Sequence, residues 1–426
     1  MRRLIATTTM LALATAGGTV LTSGAGAAST TDTVAKVPTS FAFKAYAFGS
    51  RAHGGQVPAG SGSTAFQVIG CTNDAGVDKR NHTLSEQIPG IGTASEITTR
   101  AWTTKSKSGV VASHSRNAIA KITLADTPAG SLSLTGIEST ALASHDDAGF
   151  HADTTSDIAK IVLTPPVGPA QEFDAPAPGQ TLDVPGVATI TVGNPKKAAG
   201  NELARARAEA VTITSAATGT KVHVAQAFAQ LTRGIKSGLF GGYATGTRAR
   251  AADGHVTVGR TPYQPMPCQG THGEVRRNAT ASVDLGGQLI ASGVEAEGKG
   301  TQTQDRAWGY EQGRIANVNL GNGQLVIDGI VGRVNVTRKG ADLQKLVRHA
   351  RTTIGTITAN GEPQSFPDTD VLEIPGVARL ERNIVKKVSS GLEVTALRIT
   401  LLDGSGAPES VVNLGEAKLY IKRADR

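Results

Sequence analysis

Leu182-Asp183-Val184-Pro185-Gly186-Val187-Ala188 decides the fold, because it returns later as Leu372-Glu373-Ile374-Pro375-Gly376-Val377-Ala378. In each stretch apolar residues lead into and out of a Pro-Gly pair. Pro at the second place and Gly at the third suit a type II turn, whose third residue takes φ > 0. The flanks, 181–184 and 187–192, then read as two strands of a hairpin. Asp183 and Glu373 recur just before the turns, where a carboxylate accepting from turn amides is an ordinary structural device.

Outward from these turns the whole chain duplicates. Shifted by 197 residues, Phe43 meets Phe240, Tyr46 meets Tyr243 and Cys71 meets Cys268. Lys79-Arg80-Asn81 likewise meets Arg276-Arg277-Asn278. With small changes of offset, Ile119 pairs with Ile315, Gly136-Ile137 with Gly329-Ile330, and Val211-Thr212-Ile213-Thr214 with Leu397-Arg398-Ile399-Thr400. The repeats run over 41–231 and 238–426, with a linker at 232–237 and a polar leader at 29–40. Two copies of this length are too few and too long for a solenoid, and each is large enough to bury its own core. Trp102 and Trp308 do not align and share no role.

Period-two patterning dominates both copies. Ser131, Ser133 and Thr135 alternate with Leu132 and Leu134, as do Gln324, Val326 and Asp328 with Leu325 and Ile327. Such runs fit half-buried strands. The stretch 201–210 is rich in helix formers, but Ala fills every second place from Ala204 to Ala210, and its repeat partner reads as strand. Two copies of one unit share one fold, so both are strand. One short helix is expected at 341–349, where Leu343, Leu346 and Val347 are spaced for one face. The expected class is therefore all-β: two tandem homologous antiparallel units with sandwich-like or rolled sheets and at most one short helix each.

The N-terminus reads as an export signal over 1–28. Arg2 and Arg3 precede an uncharged apolar stretch, and Ala25-Gly26-Ala27 is a small-residue cleavage pattern. No other stretch reaches the ~20 apolar residues of a membrane span, so no membrane association is expected after cleavage. The net charge is +8 and the charges are interspersed. No basic stripe with interleaved aromatics appears along the sequence, and nucleic acid is not an expected partner.

Motifs for nucleophilic, metal-dependent or phosphate chemistry are absent from the sequence, and neither a catalytic group nor a cofactor is expected. The densest set of ligand-type residues is His145, Asp146, Asp147, His151 and Asp153. These types ligate zinc or calcium. The matching stretch of the second copy offers only Asp342, so a solvated loop is the expectation. Asp403-Gly404-Ser405-Gly406 lacks the alternating carboxylates of a calcium loop, and Asp368 and Asp370 read as a polar loop. Cys71 and Cys268, the only cysteines, are expected to bond if the protein is exported. That bond requires equivalent points of the two copies to meet within ~7 Å, hence a local twofold.

Gly391-Leu392-Glu393-Val394-Thr395-Ala396-Leu397, followed by Val411-Val412-Asn413-Leu414-Gly415-Glu416-Ala417, resembles the choice-of-anchor P family of secreted actinobacterial proteins. The segments 320–330 and 352–360 look similar too. The resemblance implies a secreted or cell-surface Gram-positive protein and supplies no catalytic residues. This chain departs from it in having no L-P-x-T-G sorting motif. Two classes of function follow. The first is an extracellular structural or adhesive module whose partners are cell-wall polymers or another surface protein. The alternative is a secreted glycan-binding or glycan-hydrolysing protein, although aromatics make up only 4% of the chain.

Overall fold

Each repeat enters one sheet, leaves it for a second, and returns. A computed structural model describes residues 35–54, 62–88, 91–124, 127–251, 256–285, 289–340, 343–402 and 408–424. The signal read at 1–28, and the 403–406 segment, lie outside the described residues. In the first unit β1 (Val37–His53) and β2 (Gln67–Ala75) start the inner sheet. The chain then crosses to a meander of β3 (Asp78–Ile88), β4 (Gly92–Lys105), β5 (Val111–Leu124), β6 (Ser131–Asp146), β7 (Gly149–Thr164) and β8 (Gln171–Phe173), whose spatial order is sequential. It returns through β9 (Thr181–Val184), β10 (Ala188–Val192), β11 (Lys196–Ala199), β12 (Leu203–Ser215) and β13 (Lys221–Thr232). The inner sheet has the order β2-β1-β13-β12-β10-β9, with β11 beside β12.

The second unit repeats the route. β14 (Gly238–Ala251) and β15 (Val256–Pro265) precede a second meander of β16 (Arg276–Leu285), β17 (Leu289–Gln302), β18 (Arg306–Leu320), β19 (Leu325–Lys339), β20 (Lys345–Thr353), β21 (Ile357–Ala359) and β22 (Glu362–Gln364). The return is β23 (Val371–Ile374), β24 (Ala378–Val388), β25 (Gly391–Leu402) and β26 (Pro408–Arg423), giving the order β15-β14-β26-β25-β24-β23. The fold is all-β, two antiparallel sandwiches in tandem. Both Pro-Gly turns sit at the same place in it. Val187 N–H donates to Val184 C=O and Val377 N–H to Ile374 C=O, with Gly186 at φ 74° and Gly376 at φ 70°.

The copies differ where a breaker falls. β24 is one strand, but its counterpart splits into β10 and β11 around Gly193 and Pro195, since Pro lacks the N–H a ladder needs. The second unit's counterpart of β7 splits into β20 and β21 around Gly355.

The helix expected at 341–349 is a correction. Residues 345–349 begin β20, with Leu346 opposite Arg338 and Val347 opposite Thr337. The edge of β19 has N–H and C=O groups to satisfy, and pairing there overrides a weak local periodicity. The polar leader also ends earlier than expected. Val37 lies opposite Ala75 and Pro38 opposite Asp74, so 37–40 belong to β1.

The core is built mainly from aliphatic residues, in two zones per unit. At one end of the first sandwich Ile97, Ile119, Leu134, Ile137, Ile190 and Ile213 interlock. At the other, Ala204, Ala206, Ala208, Ala227 and Ala229 pack around Phe43 and Leu231. The alternating alanines of β12 thus face inward, while Arg205, Arg207 and Glu209 do not share their complete burial. In the second unit Phe240 takes the place of Phe43, among Val334, Val394, Leu419 and Ile421. There the two sheets touch backbone to backbone. A Cβ on Gly332 of β19 would lie 2.0 Å from the Gly415 carbonyl oxygen of β26.

Residues 36–426 form one body, and the junction between the sandwiches shows how. Cys71 and Cys268 are bonded, with Cα atoms 5.4 Å apart, in a buried cluster with Ala42, Leu239 and Ala424. Equivalent points of the two copies therefore meet at the junction, as the bond requires. The linker is clamped as well: Gln302 Oε1 accepts from the backbone N–H groups of Lys236, Ser237 and Gly238.

Candidate functional site

The His/Asp set of the first unit does not converge. It occupies the β6–β7 hairpin, where two-strand geometry sends neighbours to opposite faces. His151 Nε2 and Asp146 Oδ1 lie 2.8 Å apart. Asp153 accepts from Lys197 Nζ at 3.3 Å. Asp147 lies in the turn. His145 turns away to pack on Phe41 and Phe150, and its Nε2 accepts from Arg233 Nη2 at 2.7 Å. Desolvation and the Arg233 guanidinium hold His145 below the usual histidine range. Among the described residues no group of three His, Cys, Asp or Glu side chains is placed to hold a metal ion. Two other acids flagged by the sequence have local partners. Asp183 accepts from Thr189 at 3.0 Å, and Asp370 from Arg382 Nε at 2.6 Å.

The densest functional geometry lies instead on the outer face of the first meander. Register sets Arg80 of β3 opposite Arg100 of β4, and Arg100 opposite Arg116 of β5. The next row sets Asp78 opposite Trp102 and Trp102 opposite His114. Three guanidinium groups thus stand in a line across three adjacent strands, spaced about 4.8 Å per strand at the backbone. They line an open cavity of about 420 Å³ together with Asn81, His82 and Thr98, and no carboxylate belongs to its wall.

Carboxylates at the rim hold the guanidinium groups by one edge. Arg100 donates from Nε and Nη2 to Asp78, at 3.0 and 2.8 Å. Arg116 donates from the same two nitrogens to Glu138, at 2.7 and 2.6 Å. Arg80 shares Asp78 through Nη2 at 2.9 Å. Behind them Trp102 and His114 stack with ring centroids 4.8 Å apart, and the Arg100 guanidinium sits 4.5 Å from the Trp102 centroid. Burial, with the Arg100 charge adding to it, pushes His114 down to about 4, so this ring is neutral near pH 7. The side chains of Arg80, Arg100 and Arg116 remain 65%, 41% and 53% exposed, so the row is open to a ligand.

The second unit uses the same positions differently. Arg277 faces Glu297, and Glu297 faces Gln312. Arg277 Nη2 donates to Glu297 at 3.0 Å and Gln312 Nε2 to the same carboxylate at 3.2 Å. Glu297 thus separates Arg277 from the row's other arginines, Arg333 opposite Gln312 and Arg351 opposite Arg333.

Two buried acids escaped sequence reasoning. Glu416 is 1% exposed; Tyr243 donates its hydroxyl to it, with Arg248 and Arg260 close by. Glu311 is fully buried in the second core, neither carboxylate oxygen has a partner, and burial raises it well above the usual carboxylate range. The available signal was Glu311 standing at an inward position of an alternating strand, where its repeat counterpart is Ser115.

Against known proteins, the chain matches no family model and no curated protein.

Proposed function

We propose that the chain is an exported, non-catalytic module of the cell surface or extracellular space, with a structural or adhesive role. The observation that supports this best is the buried disulfide at the junction of the two sandwiches. Disulfides of this kind form and persist in oxidising compartments outside the cytosol. The reading agrees with the Arg2-Arg3 start and the Ala25-Gly26-Ala27 pattern, and with the resemblance to secreted actinobacterial proteins. Two experiments test it. Intact mass of the protein recovered from the host's culture medium or wall fraction is expected to begin at Ala28 or Ser29. A screen of purified protein on glycan, ester, peptide and phosphoester substrates is expected to be flat. Recovery in the cytosol with Met1 in place refutes export, and turnover refutes the non-catalytic reading.

A glycan-binding role is the second reading, favoured by the open arginine-lined face of β3, β4 and β5. The two readings combine in a wall-associated protein that holds a polymer without cleaving it.

A further inference from the structure

We propose that Arg80, Arg100 and Arg116 form a binding row for a linear anionic polysaccharide or polyol of the cell envelope, one bearing regularly repeated carboxylate or phosphodiester groups. The proposal rests on the extracellular reading and adds the ligand chemistry and the residues.

Like charges set directly opposite one another on neighbouring strands destabilise a sheet. The first unit nevertheless places three arginines in one row. Asp78 and Glu138 offset part of that repulsion, but one carboxylate serves both Arg80 and Arg100. The second unit, built on the same frame, puts Glu297 and Gln312 where the first has Arg100 and Arg116. The fold therefore does not require the arginines. The second unit's row also sets Arg333 opposite Arg351, but only the first unit's row runs three adjacent arginines together. Such a break of a local rule without structural need marks a site.

The holding geometry points the same way. Arg100 and Arg116 each use the Nε–Nη2 edge for a rim carboxylate. The Nη1 groups are left for a further acceptor, and guanidinium forks fixed in orientation suit carboxylate and phosphate oxygens. The Trp102–His114 stack supports the Arg100 guanidinium from one side. Three guanidinium groups spread over about 10 Å match a chain with several charges better than one small anion.

The test uses the mature chain and three immobilised probes: poly(glycerol phosphate), polygalacturonate and neutral dextran. Binding to at least one of the anionic polymers, and none to dextran, is expected. The arm that binds identifies the phosphate or the carboxylate as the recognised group. Affinity is expected to fall with salt, and R80Q/R100Q/R116Q is expected to lower it at least tenfold. The log–log salt slope drops in that variant by roughly one unit per arginine removed, as for other polyanions that release counterions. The matched variant R314Q/R351Q/R379Q removes the same charge from the second unit and is expected to leave binding within twofold. Equal losses in both variants refute a defined site, and so does unchanged binding in the first. Tighter binding of duplex DNA than of either polymer, with the same arginine dependence, overturns the ligand class. Wall association that persists in R80Q/R100Q/R116Q removes this site and leaves the extracellular reading standing.

Discussion

Replacing both cysteines, C71A/C268A, removes the covalent tie between the sandwiches. The bond spans 197 residues of sequence. In the chain-entropy treatment, closing a loop of that length withdraws about 5 kcal/mol of conformational entropy from the unfolded state, and measured values often fall below such figures. The effect does not need the units to unfold together. Whichever sandwich opens first stays tethered at the bond and at the clamped linker, so its unfolded chain is restricted either way. Urea denaturation followed by tryptophan fluorescence reads each half separately, because Trp102 lies in the first meander and Trp308 in the second. W308F and W102F backgrounds isolate the two signals. The expected result is a lower midpoint in both, a total loss of several kcal/mol and a larger m-value, as an untethered chain exposes more surface. Unchanged midpoints and slopes, or a bond absent from a non-reducing peptide map of the wild type, refute the reasoning.

Core truncation F240A is expected to cost about 3–5 kcal/mol by urea denaturation, as for other buried Phe→Ala changes; Phe240 is 0% exposed. G415A is expected to destabilise by roughly 1–2 kcal/mol for an L-residue in the left-handed region, plus roughly 1–3 kcal/mol for overpacking. Gly415 has φ 60°, and its added Cβ would lie 3.0 Å from Ala396 Cβ. Two groups give stability opposite slopes with pH. His114, held near 4, protonates more readily in the unfolded chain, so stability falls as pH drops from about 6.5 towards 4. The loss is at most about 3 kcal/mol, and H114Q removes it in a urea series over that range. Glu311 is raised, so its contribution is fully present below the usual glutamate value and is lost as pH rises above it; E311Q flattens that fall.

Much of the architecture was legible from the sequence because it rests on period. Strand patterning forces alternate residues to one face, and duplication let one copy correct the other. The stretch around Ala204, Ala206 and Ala208 has helix propensity, yet its repeat partner at Val394 and Ile399 made both strands. The 341–349 segment failed because its apolar spacing is short, and its fate hangs on the open edge of β19, a tertiary fact. The His/Asp set looked dense because its members are close in sequence, but a hairpin scatters such neighbours over two faces. Arg80, Arg100 and Arg116 were unremarkable for the opposite reason. They come from three separate strands, and only strand register, fixed by the buried face beneath them, lines them up. Local pattern and repetition therefore determined the class of fold, the turns and the equivalence of the two cysteines. Register and sheet packing alone decided which charges stand together and which acids are sealed inside, because those depend on contacts between residues the sequence holds far apart.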